Sequence, residues 1–146
     1  MKMTKQVYVW ANGQEVLNVL HSYAWAFDSN DRELLASVFS EGAKTGGIVR
    51  GTTSGWGPWE GRDEIVRNLG AIRDGQTDRR RHQITTPLFV SLTDNHAEVK
   101  IYLSLFGIDS SKNVRLVTTG EYSAKLSKTD GQWRIDALEA LLDGEF

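Results

Sequence analysis

From His82 to the C-terminus the sequence alternates apolar and polar residues with a period of two, and this constrains the fold more than any other feature. "HQITTPLFVSL", "HAEVKIYLSLF", "VRLVTTGEYSAKL" and "WRIDALEAL" each fit a strand. Turn signals separate them at Thr93-Asp94-Asn95, from Gly107 to Asn113, and at Thr129-Asp130-Gly131, the last a strong hairpin signal. Strands joined by such short turns pair antiparallel. A sheet of this size must bury one face, and the first half of the chain supplies the cover. Val16, Leu17, Leu20, Ala24 and Phe27 give a helical stripe over 14–27. Asn30 with Glu33 resembles a capping box, and Leu34, Leu35, Val38 and Phe39 continue a second helix. Ile65, Leu69 and Ile72 mark a third over "GRDEIVRNLGAIRD". Between them "TGGIVRG" reads as a short strand and "TTSGWGPWEG" as a loop with two tryptophans. Helices segregated from a meandering sheet predict an α+β fold. A bent sheet closed on one side by helices makes a cone, and cones hold pockets.

With 146 residues the chain is expected to be one domain spanning 1–146. A formal net charge of −2 does not by itself suggest a dominant nucleic-acid-binding role. The absence of cysteine removes disulfides, thiolate nucleophiles and zinc–thiolate sites. "MKMTKQVYVWANGQ" lacks the apolar run of a secretory signal, and no segment has the length of a membrane span. The expectation is a cytoplasmic protein with no nucleic-acid or membrane partner. Five Trp, four Tyr and five Phe either fill the core or line an apolar pocket.

One residue breaks the pattern. Asp28 falls on or beside the apolar stripe, one turn after Ala24 and near the negative end of its helix. Both placements are unfavourable for an ordinary aspartate. His82 offers an explanation. On a strand it shares a face with Ile84, Thr86 and Leu88, and the apolar members mark that face as the inner one. Alone it reads equally as a buried structural histidine. An inward carboxylate and an inward imidazole can satisfy each other, and the carboxylate would fix the tautomer of a general base. Tyr23 either reaches the pocket wall, where a phenol could hydrogen-bond a carbonyl or leaving hydroxyl, or is a half-buried aromatic on the helix. Phe27, Trp56, Trp59, Tyr102 and Tyr122 are the candidate substrate-binding aromatics. Arg79-Arg80-Arg81 reads as a solvated strand entry, with an anion clamp at the pocket mouth or a nucleic-acid contact as alternatives. His21 and His96 read as surface residues. No HExxH, GxGxxG, P-loop or carboxylate cluster with metal spacing is present, so no metal or other cofactor is expected.

"YAWAFDSNDRELLASVFSEGA", "WEGRDEIVRNL", "RHQITTPLFVSLTDNHAEVKIYL" and "GEYSAKLSKTDGQWRI", taken in order, resemble the SnoaL-like branch of the nuclear-transport-factor-2-like superfamily, over about residues 12 to 142. The resemblance implies a cone-shaped α+β barrel, a strongly bent and mostly antiparallel sheet wrapped around N-terminal helices, with a deep apolar pocket. Within that branch the chain looks most like the scytalone dehydratase, hexachlorocyclohexane dehydrochlorinase and bile-acid dehydratase group. The group's "Y-x-x-x-x-D" matches Tyr23 and Asp28, and its "H-x-x-T-N/T" matches His82, Thr85 and Thr86. By resemblance His82 is the general base, Asp28 its orienting partner, and Tyr23 assists the substrate oxygen or leaving group. Two departures stand out on the strand over 97–106. Ser104 and Leu105 occupy the region where bile-acid dehydratases carry a further acidic residue, and scytalone dehydratase's second histidine has no counterpart there.

Together these readings predict a cofactor-independent lyase or isomerase acting on a hydrophobic small molecule. The alternatives are a polyketide- or terpenoid-type cyclase, a non-catalytic ligand-binding module, and an assembly protein like the small subunits of ring-hydroxylating dioxygenases. Apolar residues on both faces of "EVKIYLSLF", with Tyr102 and Phe106 opposite Val99, Ile101, Leu103 and Leu105, fit a buried outer face, and the resemblance implies a homodimer or homotrimer.

Overall fold

The computed structural model describes residues 5–146, with side chains from residue 10 onward. The first four residues of the N-terminal segment lie outside the described residues. Three helices and six strands follow one another as α1 (Lys5–Ser29), α2 (Arg32–Val38), β1 (Phe39–Val49), β2 (Gly55–Glu60), α3 (Arg62–Asp74), β3 (Arg79–Leu92), β4 (His96–Ile108), β5 (Val114–Thr129) and β6 (Gln132–Leu142). The strands form one sheet in the order β2-β1-β6-β5-β4-β3. β3 to β6 are an antiparallel meander, and β1 joins the far side of β6 in parallel. The α+β class expected from the sequence is the class observed. Among the described residues no helix is long and apolar enough to cross a membrane.

The core lies between the sheet's concave face and α1 with α3. Val16, Leu20, Tyr23, Ala24 and Phe27 of α1 are buried, as are Ile65 and Leu69 of α3. On β4 the alternation is complete: Ala97, Val99, Ile101, Leu103 and Leu105 face in, while Tyr102 is exposed. Phe39, Leu20, Ile65, Ile101, Leu126, Ile135 and Leu138 are the largest side chains sealed from solvent. Each contributes roughly 1.5–3 kcal/mol by leaving water.

Three local readings need correction. The cap of α2 is Asp31, whose carboxylate accepts from Leu34 N–H at 2.9 Å. Asn30 instead takes the left-handed conformation (φ 57°) that ends α1, a role asparagine tolerates. The segment read as a loop, "TTSGWGPWEG", contains an edge strand, β2, paired antiparallel with β1. Its glycines hide the alternation, and one glycine of β1 has a packing reason. A Cβ at Gly47 would meet the Trp56 indole at 2.2 Å, so only glycine lets that ring lie across the strand. Finally, β3 does not keep one parity. Its register with β4 shifts between Thr85 and Leu88, where Thr86 has φ 58°, and again between Phe89 and Ser91. A bulge flips the side chains that follow it. Ile84 therefore packs on the core, Leu88 is 63% exposed, and Phe89 and Leu92 take the inner positions instead.

Candidate functional site

Asp28 lies in the last turn of α1 and His82 near the start of β3, an edge strand of the sheet. An edge strand leaves every second N–H without a sheet partner. The His82 N–H is one of these, and Asp28 Oδ2 accepts from it at 2.8 Å. Asp28 Oδ1 meets His82 Nδ1 at 2.6 Å. One carboxylate thus closes the sheet edge and fixes the imidazole at two points. The side chains of His82 and Asp28 are 8% and 11% exposed, so water competes weakly for these contacts. Arg73 donates from Nε to the Asp28 carbonyl at 3.4 Å, placing a cation at the C-terminal end of α1 where it is favourable. These contacts answer the anomaly that Asp28 poses in the sequence.

With Nδ1 engaged, the imidazole is left with Nε2 as its free nitrogen. The ring stands edge-on to Phe27, centroids 5.0 Å apart and planes at 81°. It separates two concavities. Inside is a cavity of about 50 Å³, walled by Tyr23, Phe27, Trp56, Leu103 and Tyr122 and shared by His82. Outside is a groove of about 580 Å³ that holds Asp28, His82, Trp25, Arg73, Arg79 and Arg81. The inner cavity is apolar but shallow in volume, not the deep pocket expected. It has room for only a few water molecules and lies well below the roughly 300–1,000 Å³ of ordinary ligand pockets. Trp56 and the C-terminal Phe146 close part of it, with ring centroids 5.0 Å apart.

Tyr23 is a core residue, 6% exposed, and not a half-buried surface aromatic. It packs edge-on to Phe39 and Tyr122, with centroids at 5.9 and 6.0 Å. Burial pushes the Tyr23 phenol up, partly offset by the Tyr122 hydroxyl as a hydrogen-bonding neighbour, and the Asp28 charge pushes it further up. Burial pushes Tyr122 up as well, and the neighbouring Tyr23 reinforces it. Both hydroxyls stay protonated through the neutral range, and Tyr23, the acceptor of the pair, keeps its own proton free to donate. Of the other expected aromatics, Phe27, Trp56 and Tyr122 line the cavity. Trp59 does not; it packs against the core from β2. Tyr102 does not either, because it lies on the outer face, 57% exposed.

Gln76 and Phe146, which the sequence does not single out, also line the cavity, as does Arg80, for which a solvated strand entry is the first reading and an anion clamp an alternative. Arg79 and Arg81 are exposed, as a solvated strand entry requires, but Arg80 points inward with His82. Period two carries that signal, since residues 80, 82 and 84 share a face. Arg80 Nε donates to Asp78 Oδ1 at 2.6 Å, and Arg115 reaches Asp78 Oδ2 at 3.2 Å. Burial would raise the Asp78 carboxyl, but the hydrogen bond and charge of Arg80, with the charge of Arg115, outweigh it and hold the group below its ordinary value. Among the described residues no group of three or more His, Asp or Glu side chains gathers to hold a metal ion.

Several solved structures share this fold. A candidate scytalone dehydratase from Novosphingobium aromaticivorans superposes with a TM-score of 0.76 at 17% identity, over 97% of this chain and 93% of that one. LinA gives 0.79 at 13% identity, over 97% and 92%. An NTF2-like protein with a cystatin-like fold, also from Novosphingobium aromaticivorans, gives 0.74 at 20% identity, over 96% and 88%. No curated protein matches the chain in sequence. At such identities the likeness is one of fold, the NTF2-like cone. The SnoaL-like domain matches residues 11–139, most of the chain, and the protein is therefore a member of the SnoaL-like family.

Proposed function

We propose that this protein is a cofactor-independent lyase or isomerase in which His82 is the general base. The observation that carries the reading is the two-point hold of Asp28 on His82, which leaves Nε2 beside an apolar cavity. The substrate is a compact, largely apolar molecule with an acidified C–H. His82 Nε2 takes the proton as Asp28 holds the tautomer and orients the ring. The Tyr23 phenol, kept neutral by burial, donates to a carbonyl or departing oxygen on which charge grows. Return of the proton at another carbon gives isomerisation. Expulsion of a leaving group gives elimination, and attack of the new carbanion within the substrate gives ring closure. The fold shared with LinA and with the candidate scytalone dehydratase supports this class of chemistry.

Deuterium exchange into small β-hydroxy and β,γ-unsaturated ketones, followed by NMR, reads the proton abstraction whichever product forms. Wild-type protein should accelerate exchange. His82→Ala should remain folded and lose roughly 10²–10⁴-fold of that rate, the usual contribution of a positioned base. Exchange at the wild-type rate in the variant would remove His82 from the role.

The outer sheet face favours a second, compatible reading, self-assembly. Leu88, Tyr102, Val114 and Leu116 on neighbouring strands are 55–66% exposed. A homodimer or homotrimer would bury them.

A further inference from the structure

We propose that Arg80 is the oxyanion-binding residue of this site and that the substrate is a carbonyl compound whose enolate oxygen it takes. The inference rests on the general-base reading of His82 and names the chemistry that reading leaves open. Three observations lead to it. Arg80 and His82 alternate on one face of β3, so their Cα atoms stand about two strand rises, or ~6.6 Å, apart and both side chains line the same cavity. That spacing lets one small molecule present a C–H to Nε2 and an oxygen to the guanidinium.

Second, the guanidinium is fixed without being used up. Asp78 holds its Nε, while Nη1 and Nη2 have no hydrogen-bond partner among the described residues. The fixing is built into the fold. A Cβ at Gly107, opposite Arg80 on β4, would meet Asp78 Oδ2 at 2.6 Å, so the glycine makes room for the carboxylate. Arg115 holds the same carboxylate from β5. An arginine only needed for an ion pair would not be turned into an apolar cavity, where its side chain is 13% exposed.

Third, the cavity has a buried unsatisfied polar atom. Gln76 Oε1 is buried with no hydrogen-bond partner among the described residues. A free donor pair and a free acceptor facing one small cavity make a polar end that an apolar molecule cannot satisfy. A carbonyl oxygen on Arg80 and a hydroxyl on Gln76 would satisfy both.

The step balances simply. The C–H bond breaks, its proton goes to His82 Nε2, and its electron pair forms the C=C bond of the enolate. The carbonyl π pair moves to oxygen, where the two terminal N–H groups of Arg80 receive it. Guanidinium is suited to this because its parallel donors match an oxyanion, or two oxygens at once.

Acetylacetone is the probe, since it is compact and its enolate has a distinct ultraviolet band and two oxygens. Wild-type protein should bind the enolate in preference to methyl propyl ketone, its neutral analogue. Arg80→Gln should lose about 10- to 100-fold of enolate affinity, the worth of hydrogen bonds to a charged group, with the neutral ketone unaffected. Arg80→Lys keeps a charge for Asp78 and should fall between the two, which guards against an unfolded glutamine variant. Equal enolate affinity in wild type and Arg80→Gln would overturn the proposal. So would an equal loss for both ligands, or no enolate preference in wild type. The base reading is judged separately: His82→Ala should slow deuterium exchange into acetylacetone while leaving the enolate preference at equilibrium. Failure at Arg80 and failure at His82 thus give different results.

Discussion

Removing the Asp28 carboxylate tests how the site is held. In Asp28→Ala two hydrogen bonds to a charged acceptor disappear, at 2.8 Å from the His82 N–H and 2.6 Å from Nδ1. Each is worth roughly 1.5–3 kcal/mol, so their gross worth is about 3–6 kcal/mol. Two effects reduce it. The outer groove lets water reach the orphaned N–H groups. Loss of a negative charge at the C-terminal end of α1 returns about 0.3–1 kcal/mol. The expected net cost is about 2–4 kcal/mol for alanine. Asparagine keeps one acceptor and should cost about 1–2 kcal/mol. Urea unfolding, followed by tryptophan fluorescence, measures both. A double-mutant cycle with His82→Ala then divides the cost, because that variant keeps the backbone N–H and removes only the ring. The coupling should be about 1–2 kcal/mol, with the remaining cost of Asp28→Ala persisting when the imidazole is gone. A coupling inside the roughly 0.3–0.5 kcal/mol expected of independent sites would refute the reasoning. So would an Asp28→Ala protein as stable as wild type.

One further prediction follows from burial and one from exposure. The phenols of Tyr23 and Tyr122 ionise at higher pH folded than unfolded, so the folded chain holds more protons above the ordinary tyrosine value of 10.0. Stability is then unchanged up to that value and falls as pH rises beyond it. Tyr23→Phe should flatten this alkaline limb in urea titrations taken at increasing pH; an unchanged slope would show that the phenol is not sealed in the fold. On the outer face, Tyr102→Lys and Leu116→Lys should leave far-UV circular dichroism unchanged and shift sedimentation equilibrium from an oligomer to a monomer. A wild-type chain that is already monomeric at micromolar concentration would refute the assembly reading.

The elements were legible where one physical rule acted alone. β4 alternates cleanly because one face is core and the other is not, and α3 shows its buried side at Ile65 and Leu69. Reading failed where a second constraint intervened. Period two places Leu88 inside, but Pro87 in "ITTPL" is a residue that strands admit at an edge or a bulge, and the parity that correctly gives His82 and Ile84 is lost there. Tyr102 reads as a pocket aromatic by residue type alone, but its own strand alternation puts it outside. For Arg80 composition outweighs parity: three consecutive arginines read first as solvated, with an anion clamp only as the alternative, although the middle one faces the cavity. The volume of that cavity depends on how Trp56 lies over Gly47 and against Phe146, which are distant in sequence and related only through the sheet.

Asp28 was legible for a different reason: it violated a rule. A carboxylate at a helix C-terminus, against apolar neighbours, is unfavourable unless something nearby needs it. The structure supplies two such needs at once. Oδ2 closes an N–H that the edge strand cannot pair, and Oδ1 holds a ring nitrogen. Neither alone requires an aspartate, because a serine could close the edge and a backbone carbonyl could hold the ring. A single side chain that must accept both bonds, at 2.8 and 2.6 Å, from donors on the same residue needs two acceptor oxygens on a short stem. Glutamate has the oxygens but would displace them by a methylene. Substitution by glutamate should therefore leave the charge in the groove and lose the alignment of the imidazole. That outcome would separate the electrostatic part of the pair from its geometry.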